Sequence, residues 1–135
     1  MPARVAPLVR AACFTAALAV AAVIFYESTQ ERGRPGVPDV STNLAYLGHF
    51  ATYAVLTICG LIALNPRSPW AFALVLALAV SLGIALEVYQ IHLSTRTASV
   101  GDAFANAAGA LSASTAYVAL ALWFDPAKRG RPTGV

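Results

Sequence analysis

Four long apolar segments, separated by short polar stretches, most constrain the fold of this 135-residue chain. We place them at about residues 8–26, 44–64, 70–90 and 102–124. Each has about the twenty residues that a helix needs to cross the roughly 30 Å hydrocarbon core of a bilayer. Only 11% of the residues are charged, against about 25% in ordinary soluble domains. The sequence therefore predicts a single all-α domain, an integral membrane bundle of four transmembrane helices.

The first apolar segment fits two interpretations. It follows Arg4 and Arg10 and is rich in alanine, as a signal peptide is, and residues 19–21 would satisfy a small-residue cleavage pattern. However, the apolar run continues through residues 23–26 instead of ending in a polar cleavage region. This continuation favours a retained helix over a cleaved signal.

The basic residues are distributed unevenly between the two sides of a four-span protein. Because the number of spans is even, both termini lie on one side, together with the connector between the second and third spans. Six of the nine basic residues fall on that side: Arg4, Arg10, Arg67, Lys128, Arg129 and Arg131. The other three are Arg32, Arg34 and Arg96. The positive-inside rule therefore predicts cytoplasmic termini, and loss of the first span would leave this orientation unchanged.

The basic residues lie in connectors and tails, not in a stripe along one face, so we expect membrane lipids as partners and no nucleic acid. The sequence gives no indication of the oligomeric state. Cys13 and Cys59 each lie inside an apolar run with no CxxC or Cys/His spacing. They are typical of small buried apolar residues, and we assign them no redox or metal role.

Two connectors carry recognisable local signals. Residues 65–69 contain Pro66 and Pro69, which predict a tight turn and an antiparallel hairpin of the second and third spans. Ser99 and Asp102 have the spacing of a capping box. In that motif the serine hydroxyl accepts a hydrogen bond from the amide near Asp102, while the acid reaches back to the exposed start of the helix.

Unusual polar residues gather near one end of the second, third and fourth spans. In the predicted topology this end is extracytoplasmic, because there the second span begins, the third ends and the fourth begins. At about 1.5 Å per residue, three separate regions of the sequence bring polar groups to one depth. The candidate binding residues are His49, Tyr53, Gln90, Arg96, Ser99 and Asn106. The candidate catalytic residues are Glu87, Asp102 and His49.

These residue types suit several kinds of chemistry. Arg96 can bind a phosphate or carboxylate, a carboxyl group can act as an acid or base, and His49 can shuttle a proton. His49, Glu87 and Asp102 are also metal-ligand types, but the Arg96 cation would compete for the carboxylates. The sequence has no HExxH or cysteine-based spacing either. We therefore expect neither a metal nor another cofactor, and whether the chain is an enzyme stays open.

The ordered set of polar residues resembles the pattern of the VanZ-like family of small bacterial membrane proteins. The residues that carry the resemblance are His49-Phe50 with Tyr53, then Glu87-x-x-Gln90, then Arg96-x-x-Ser99-x-x-Asp102-x-x-x-Asn106-x-x-Gly109. They cover about half of the chain. The family often has an Asp-Lys pair just before the histidine, whereas here Ala45 and Tyr46 occupy that place.

The resemblance implies a multi-pass protein of the bacterial cytoplasmic (inner) membrane that acts in the cell envelope. The founding member of the family is linked to resistance to the glycopeptide teicoplanin. We therefore expect a protein that binds or modifies an amphiphilic, lipid-linked or glycopeptide-like ligand in an outward-facing polar pocket between the second, third and fourth helices. The alternative is a non-enzymatic structural or partner-binding protein, in which the polar residues only lock the helices together.

Overall fold

The computed structural model describes residues 6–29, 42–66, 68–93 and 99–123. These residues form four α-helices and no β-strand: α1 Pro7–Thr29, α2 Thr42–Leu64, α3 Pro69–Gln90 and α4 Val100–Trp123. Each helix is long and apolar enough to cross a membrane. The predicted all-α bundle of four membrane-spanning helices is therefore confirmed. Every helix also begins one or two residues before its predicted span.

Asn65 and Ser68 form the turn between α2 and α3. Asn65 follows the last residue of α2 and has a φ of 45°, the left-handed conformation that often ends a helix. Its amide donates to the carbonyl of Leu61 at 2.8 Å. Ser68 caps α3 by accepting a hydrogen bond from the amide of Ala71 at 3.1 Å, and Pro69 follows as the first helical residue. The antiparallel hairpin predicted from the prolines is confirmed.

Glycine lets α2 and α4 approach each other closely, and these two helices make the most extensive contact in the bundle. A Cβ atom on Gly109 would collide with the carbonyl oxygen of Phe50, and one on Gly101 would collide with the Tyr46 ring. The backbones can therefore cross only where α4 presents small residues. This crossing fixes the positions of the polar side chains near the start of both helices.

α1 packs mainly against α2, with a smaller contact to α3. Near its C-terminal end, Ile24 joins a buried cluster with Tyr53 of α2 and Leu86 of α3. Near its start, Arg10 Nε donates to the carbonyl oxygen of Ala63 at 2.9 Å. That carbonyl belongs to the last turn of α2, where backbone carbonyls have no hydrogen-bond donor within the helix. Arg10 therefore supplies the missing donor at the end of α2.

Large apolar side chains point outward from all four helices. Examples more than half exposed are Leu18, Leu47, Leu78 and Leu120. Many of the buried positions carry small residues instead, such as Ala79, Ala110 and Ala113. A soluble protein rarely exposes so much contiguous apolar surface, so this distribution suits helices that pack together through small residues and face lipid with large ones.

Candidate functional site

Three helices bring titratable side chains together at one end of the bundle, where α2 begins, α3 ends and α4 begins. We call this the polar end. His49 lies in the second turn of α2, Glu87 in the last turn of α3 and Asp102 in the first turn of α4. One imidazole nitrogen of His49 and one carboxylate oxygen each of Glu87 and Asp102 all lie within 4.8 Å of one another. We call these three residues the polar cluster.

His49 is held between two residues of α4. Its Nδ1 lies 3.0 Å from Asn106 Oδ1, and its Nε2 lies 3.7 Å from Asp102 Oδ2. Because an amide oxygen can only accept, the Nδ1 contact requires a proton on that nitrogen. Nε2 therefore faces Asp102 either as a free lone pair or, in the imidazolium form, as a second donor.

Glu87 is buried, with only 7% of its surface exposed. Its Oε2 accepts a hydrogen bond from the backbone amide of Ser99 at 2.9 Å. Ser99 in turn caps α4, because its Oγ accepts from the amide of Asp102 at 3.2 Å. The last turn of α3 thus holds the first turn of α4 across the connector between them.

This arrangement corrects one half of the predicted capping box. Ser99 caps the helix as expected, but the carboxylate that accepts from its amide belongs to Glu87 and not to Asp102. Glu87 can replace the local acid because α3 ends beside the start of α4. Asp102 is left with its carboxylate directed toward His49.

Tyr53 and Asn106 fill the space behind the polar cluster, and both are almost fully buried, with 2% and 3% of their surfaces exposed. Both lie close to Gly83, one turn before Glu87. A Cβ atom there would lie 3.1 Å from Asn106 Nδ2 and 3.2 Å from Tyr53 Cε1. Among the described residues, the Tyr53 hydroxyl has no hydrogen-bond partner. A buried polar atom without a partner is unusual and calls for an explanation such as a bound ligand or water.

Of the remaining candidate residues, the structure describes Gln90 but not Arg96. Gln90, the last residue of α3, is 3% exposed and so faces the interior of the bundle. Arg96 lies outside the described residues. His92, which follows α3, is exposed and is not part of the polar cluster.

A cavity of about 240 Å³ lies between α1 and α2 and reaches His49 and Tyr53. Its walls combine apolar and polar side chains: Val23, Ile24, Glu27, Ser28, Ala45, Gly48, His49, Thr52 and Tyr53. The sequence predicts a pocket between the second, third and fourth helices, and that prediction does not include the first helix. This cavity reaches His49 from the α1 side, while Asn106 and Asp102 approach the same imidazole from α4.

Sequence reasoning missed the contribution of α1 and Gly48 to this cavity. Gly48 precedes His49, and a Cβ atom on it would meet nothing within 4 Å. Ser28 is buried near the end of α1. The signal available in the sequence was the polar pair Glu27 and Ser28 at the end of an apolar run, but a helix end beside a connector is commonly polar. Only the packing of α1 on α2 distinguishes these residues from ordinary helix-end residues.

A second cavity, of about 230 Å³, lies farther from the polar end and is bounded by α1, α2 and α3. Its lining is almost entirely apolar and includes Phe14, Leu56, Leu78 and Leu82. Thr57 contributes a buried hydroxyl that has no partner among the described residues. The cavity beside His49 thus has mixed polar and apolar walls, whereas the cavity farther from the polar end is almost entirely apolar.

No family model matches the chain, and no curated protein or solved structure matches it. Membership of the VanZ-like family thus stays a prediction that depends on the residues between His49 and Gly109.

Proposed function

We propose that the chain is a VanZ-like multi-pass protein of the bacterial inner membrane that binds or modifies an amphiphilic or lipid-linked ligand in the cell envelope. The polar end faces the extracytoplasmic side, as the distribution of basic residues predicts. The observation that carries the proposal is the cavity between α1 and α2, which joins the His49 imidazole to apolar walls.

The lining of this cavity suits a molecule with a polar head and an apolar body. Glu27, His49 and Thr52 supply polar groups at the polar end, whereas Val23 and Ile24 supply apolar surface. A separate apolar cavity between α1, α2 and α3, farther from the polar end, offers further space lined by apolar side chains. Ligand sites commonly combine a mostly apolar wall with a few fixed polar groups.

Gly48→Leu provides a direct test, because Gly48 lines the cavity and has open space around its Cβ position. A Cβ atom there meets nothing within 4 Å, so we expect the leucine side chain to occupy part of the cavity. Ala51→Leu is the matched control, since Ala51 is an exposed residue of α2 that does not line the cavity. Lipid that co-purifies with each variant is identified and quantified by mass spectrometry.

We expect Gly48→Leu to lose at least tenfold in retained lipid-linked or amphiphilic ligand, while Ala51→Leu keeps the wild-type amount. The same pair is then compared for teicoplanin susceptibility when expressed in a sensitive bacterial host, since the proposed link to glycopeptide resistance requires Gly48→Leu to lose any protection. Equal lipid retention and equal susceptibility in the two variants would exclude this cavity as the ligand site.

The alternative function is a non-enzymatic structural or partner-binding protein. It is favoured by the hydrogen bonds from His49 to Asn106 and from Ser99 to Glu87, which tie α2 and α3 to α4. In that case, substitutions of these residues lower stability, and Gly48→Leu has no effect on ligand or phenotype.

A further inference from the structure

We propose that the polar cluster of His49, Glu87 and Asp102 is a binding site for one divalent first-row transition metal ion of the Zn²⁺ or Mn²⁺ class. The sequence contains no metal-binding motif, because its three ligands come one each from three helices. The site is a consequence of helix packing alone.

The distances within the cluster suit a shared ion. Zn²⁺ lies about 2.0–2.2 Å from imidazole nitrogen and carboxylate oxygen, so two ligands of a tetrahedral site are about 3.4 Å apart. His49 Nε2 and Asp102 Oδ2 lie 3.7 Å apart. The ligand atoms of all three residues lie within 4.8 Å, and each carboxylate has two oxygens with which to adjust. The three can therefore close around an ion by side-chain rotation.

Two of the three ligands already have the supporting contacts that metal sites use. The Nδ1 of His49 is held by Asn106 Oδ1, which leaves the Nε2 lone pair directed at Asp102. The Glu87 carboxylate accepts from the Ser99 amide through Oε2, and we assign its other oxygen to the ion. A histidine ligand that donates its second ring N–H to an oxygen, and a ligating carboxylate that is itself hydrogen-bonded, are the usual outer contacts of protein metal sites.

Tyr53 is a separate observation that points to a ligand at this place. It lies one turn from His49 on the same face of α2 and is 98% buried, with 2% exposed. Its hydroxyl has no partner among the described residues, and Tyr53 lines the same cavity as His49. Three protein ligands leave a fourth position of the ion open to water or substrate. A water there gives the Tyr53 hydroxyl a partner.

The donor set selects the class of ion. One imidazole with two carboxylates suits Zn²⁺ or Mn²⁺, whereas Mg²⁺ and Ca²⁺ prefer oxygen ligands throughout. A buried Glu87 near a second carboxylate also needs a neighbouring positive charge, because buried charges are stable only when they are paired or bind a metal. An ion bound between Glu87 and Asp102 supplies that charge to both.

Full-length protein purified in detergent provides the test, by titration with Zn²⁺ against a chelating dye. We expect one Zn²⁺ per chain, with affinity lowered at least tenfold in His49→Ala and in the isosteric Asp102→Asn. His92→Ala is the matched control, because His92 is exposed and outside the cluster. It should bind as the wild type does. Pulsed electron paramagnetic resonance of bound Mn²⁺ should show a directly coordinated imidazole nitrogen that His49→Ala loses.

The Zn²⁺ affinity of Arg96→Gln tests whether the arginine side chain occupies the position proposed for the ion. Removal of a competing cation should leave Zn²⁺ affinity unchanged or raise it, and a loss of binding in this variant contradicts the proposal. The proposal is also overturned if the wild type binds no stoichiometric Zn²⁺, or binds it no more tightly than His49→Ala. Because the probe is the metal alone, these results are independent of whether the α1–α2 cavity retains lipid.

Discussion

The carboxylate of Glu87 accepts the hydrogen bond from the Ser99 amide that a local capping box would give to Asp102. This one exchange links the end of α3 to the start of α4 and leaves Asp102 facing His49. A residue twelve positions earlier in the chain thus completes the cap of α4, and the carboxylate within α4 becomes available for a site.

Glu87→Ala should expose the Ser99 amide, whereas Asp102→Asn should not. Loss of the carboxylate removes the acceptor of a part-buried N–H group, which costs about 1–3 kcal/mol. Hydrogen exchange followed by mass spectrometry should show faster exchange at Ser99 in Glu87→Ala alone. Ser81→Ala, at an exposed position of α3, is the control. Faster exchange in Asp102→Asn but not in Glu87→Ala would mean that Asp102 accepts from the Ser99 amide, as in a local capping box.

Ser99→Ala should loosen the first turn of α4. The substitution removes the hydroxyl that accepts from the Asp102 amide, a loss of about 1 kcal/mol for a helix cap. Thermal unfolding in detergent measures the change, and Ser112→Ala, an exposed serine later in the same helix, is the comparison. Equal stability of the two variants would mean that the cap contributes nothing.

Two glycine substitutions should have opposite effects. Gly109→Ala places a Cβ atom against the carbonyl of Phe50 and forces α2 and α4 apart. Gly48→Ala meets open space and gains up to about 1 kcal/mol of helix propensity. Unfolding in a denaturing detergent should show Gly109→Ala as less stable than wild type and Gly48→Ala as equal or more stable. The reverse order would contradict the α2–α4 crossing.

His49 and Asn106 should be energetically coupled. Single substitution of either by alanine leaves the other without its partner, so a double-mutant cycle isolates their interaction. Hydrogen bonds between membrane helices average about 0.6 kcal/mol in such cycles, and values up to about 1.7 kcal/mol occur. We expect a coupling in that range from unfolding free energies. The pair His92 and Asn106 should give zero, and an equal value for both pairs would reject the contact.

The orientation of the bundle can be tested with single cysteines. In a background without Cys13 and Cys59, His92→Cys should react from outside with a membrane-impermeant maleimide if the polar end is extracytoplasmic. Ser68→Cys, exposed in the turn at the opposite end, should react only after the membrane is permeabilised. The opposite pattern would place the termini outside and reverse the proposed topology.

The position of each residue along its span identified the polar residues that the structure brings together. His49, Glu87 and Asp102 could be assigned to one depth because each lies near an end of its span. Which of them would touch could not be predicted, since contact depends on how far each helix is rotated about its axis. Asn106 was predicted as a candidate binding residue, but its hydrogen bond to His49 was not predicted.

Local sequence patterns are enough to predict the four apolar helices, the α2–α3 turn and the serine cap of α4. These features depend on length, hydropathy and local hydrogen bonds, all of which act within a few residues. The packing of the helices against one another determines that Glu87 replaces Asp102 in the cap and that α1 lines the cavity beside His49. It also determines that three helices share one polar cluster. The physical reason is the glycine-mediated crossing of α2 and α4, which sets the distances between side chains that lie far apart in the chain.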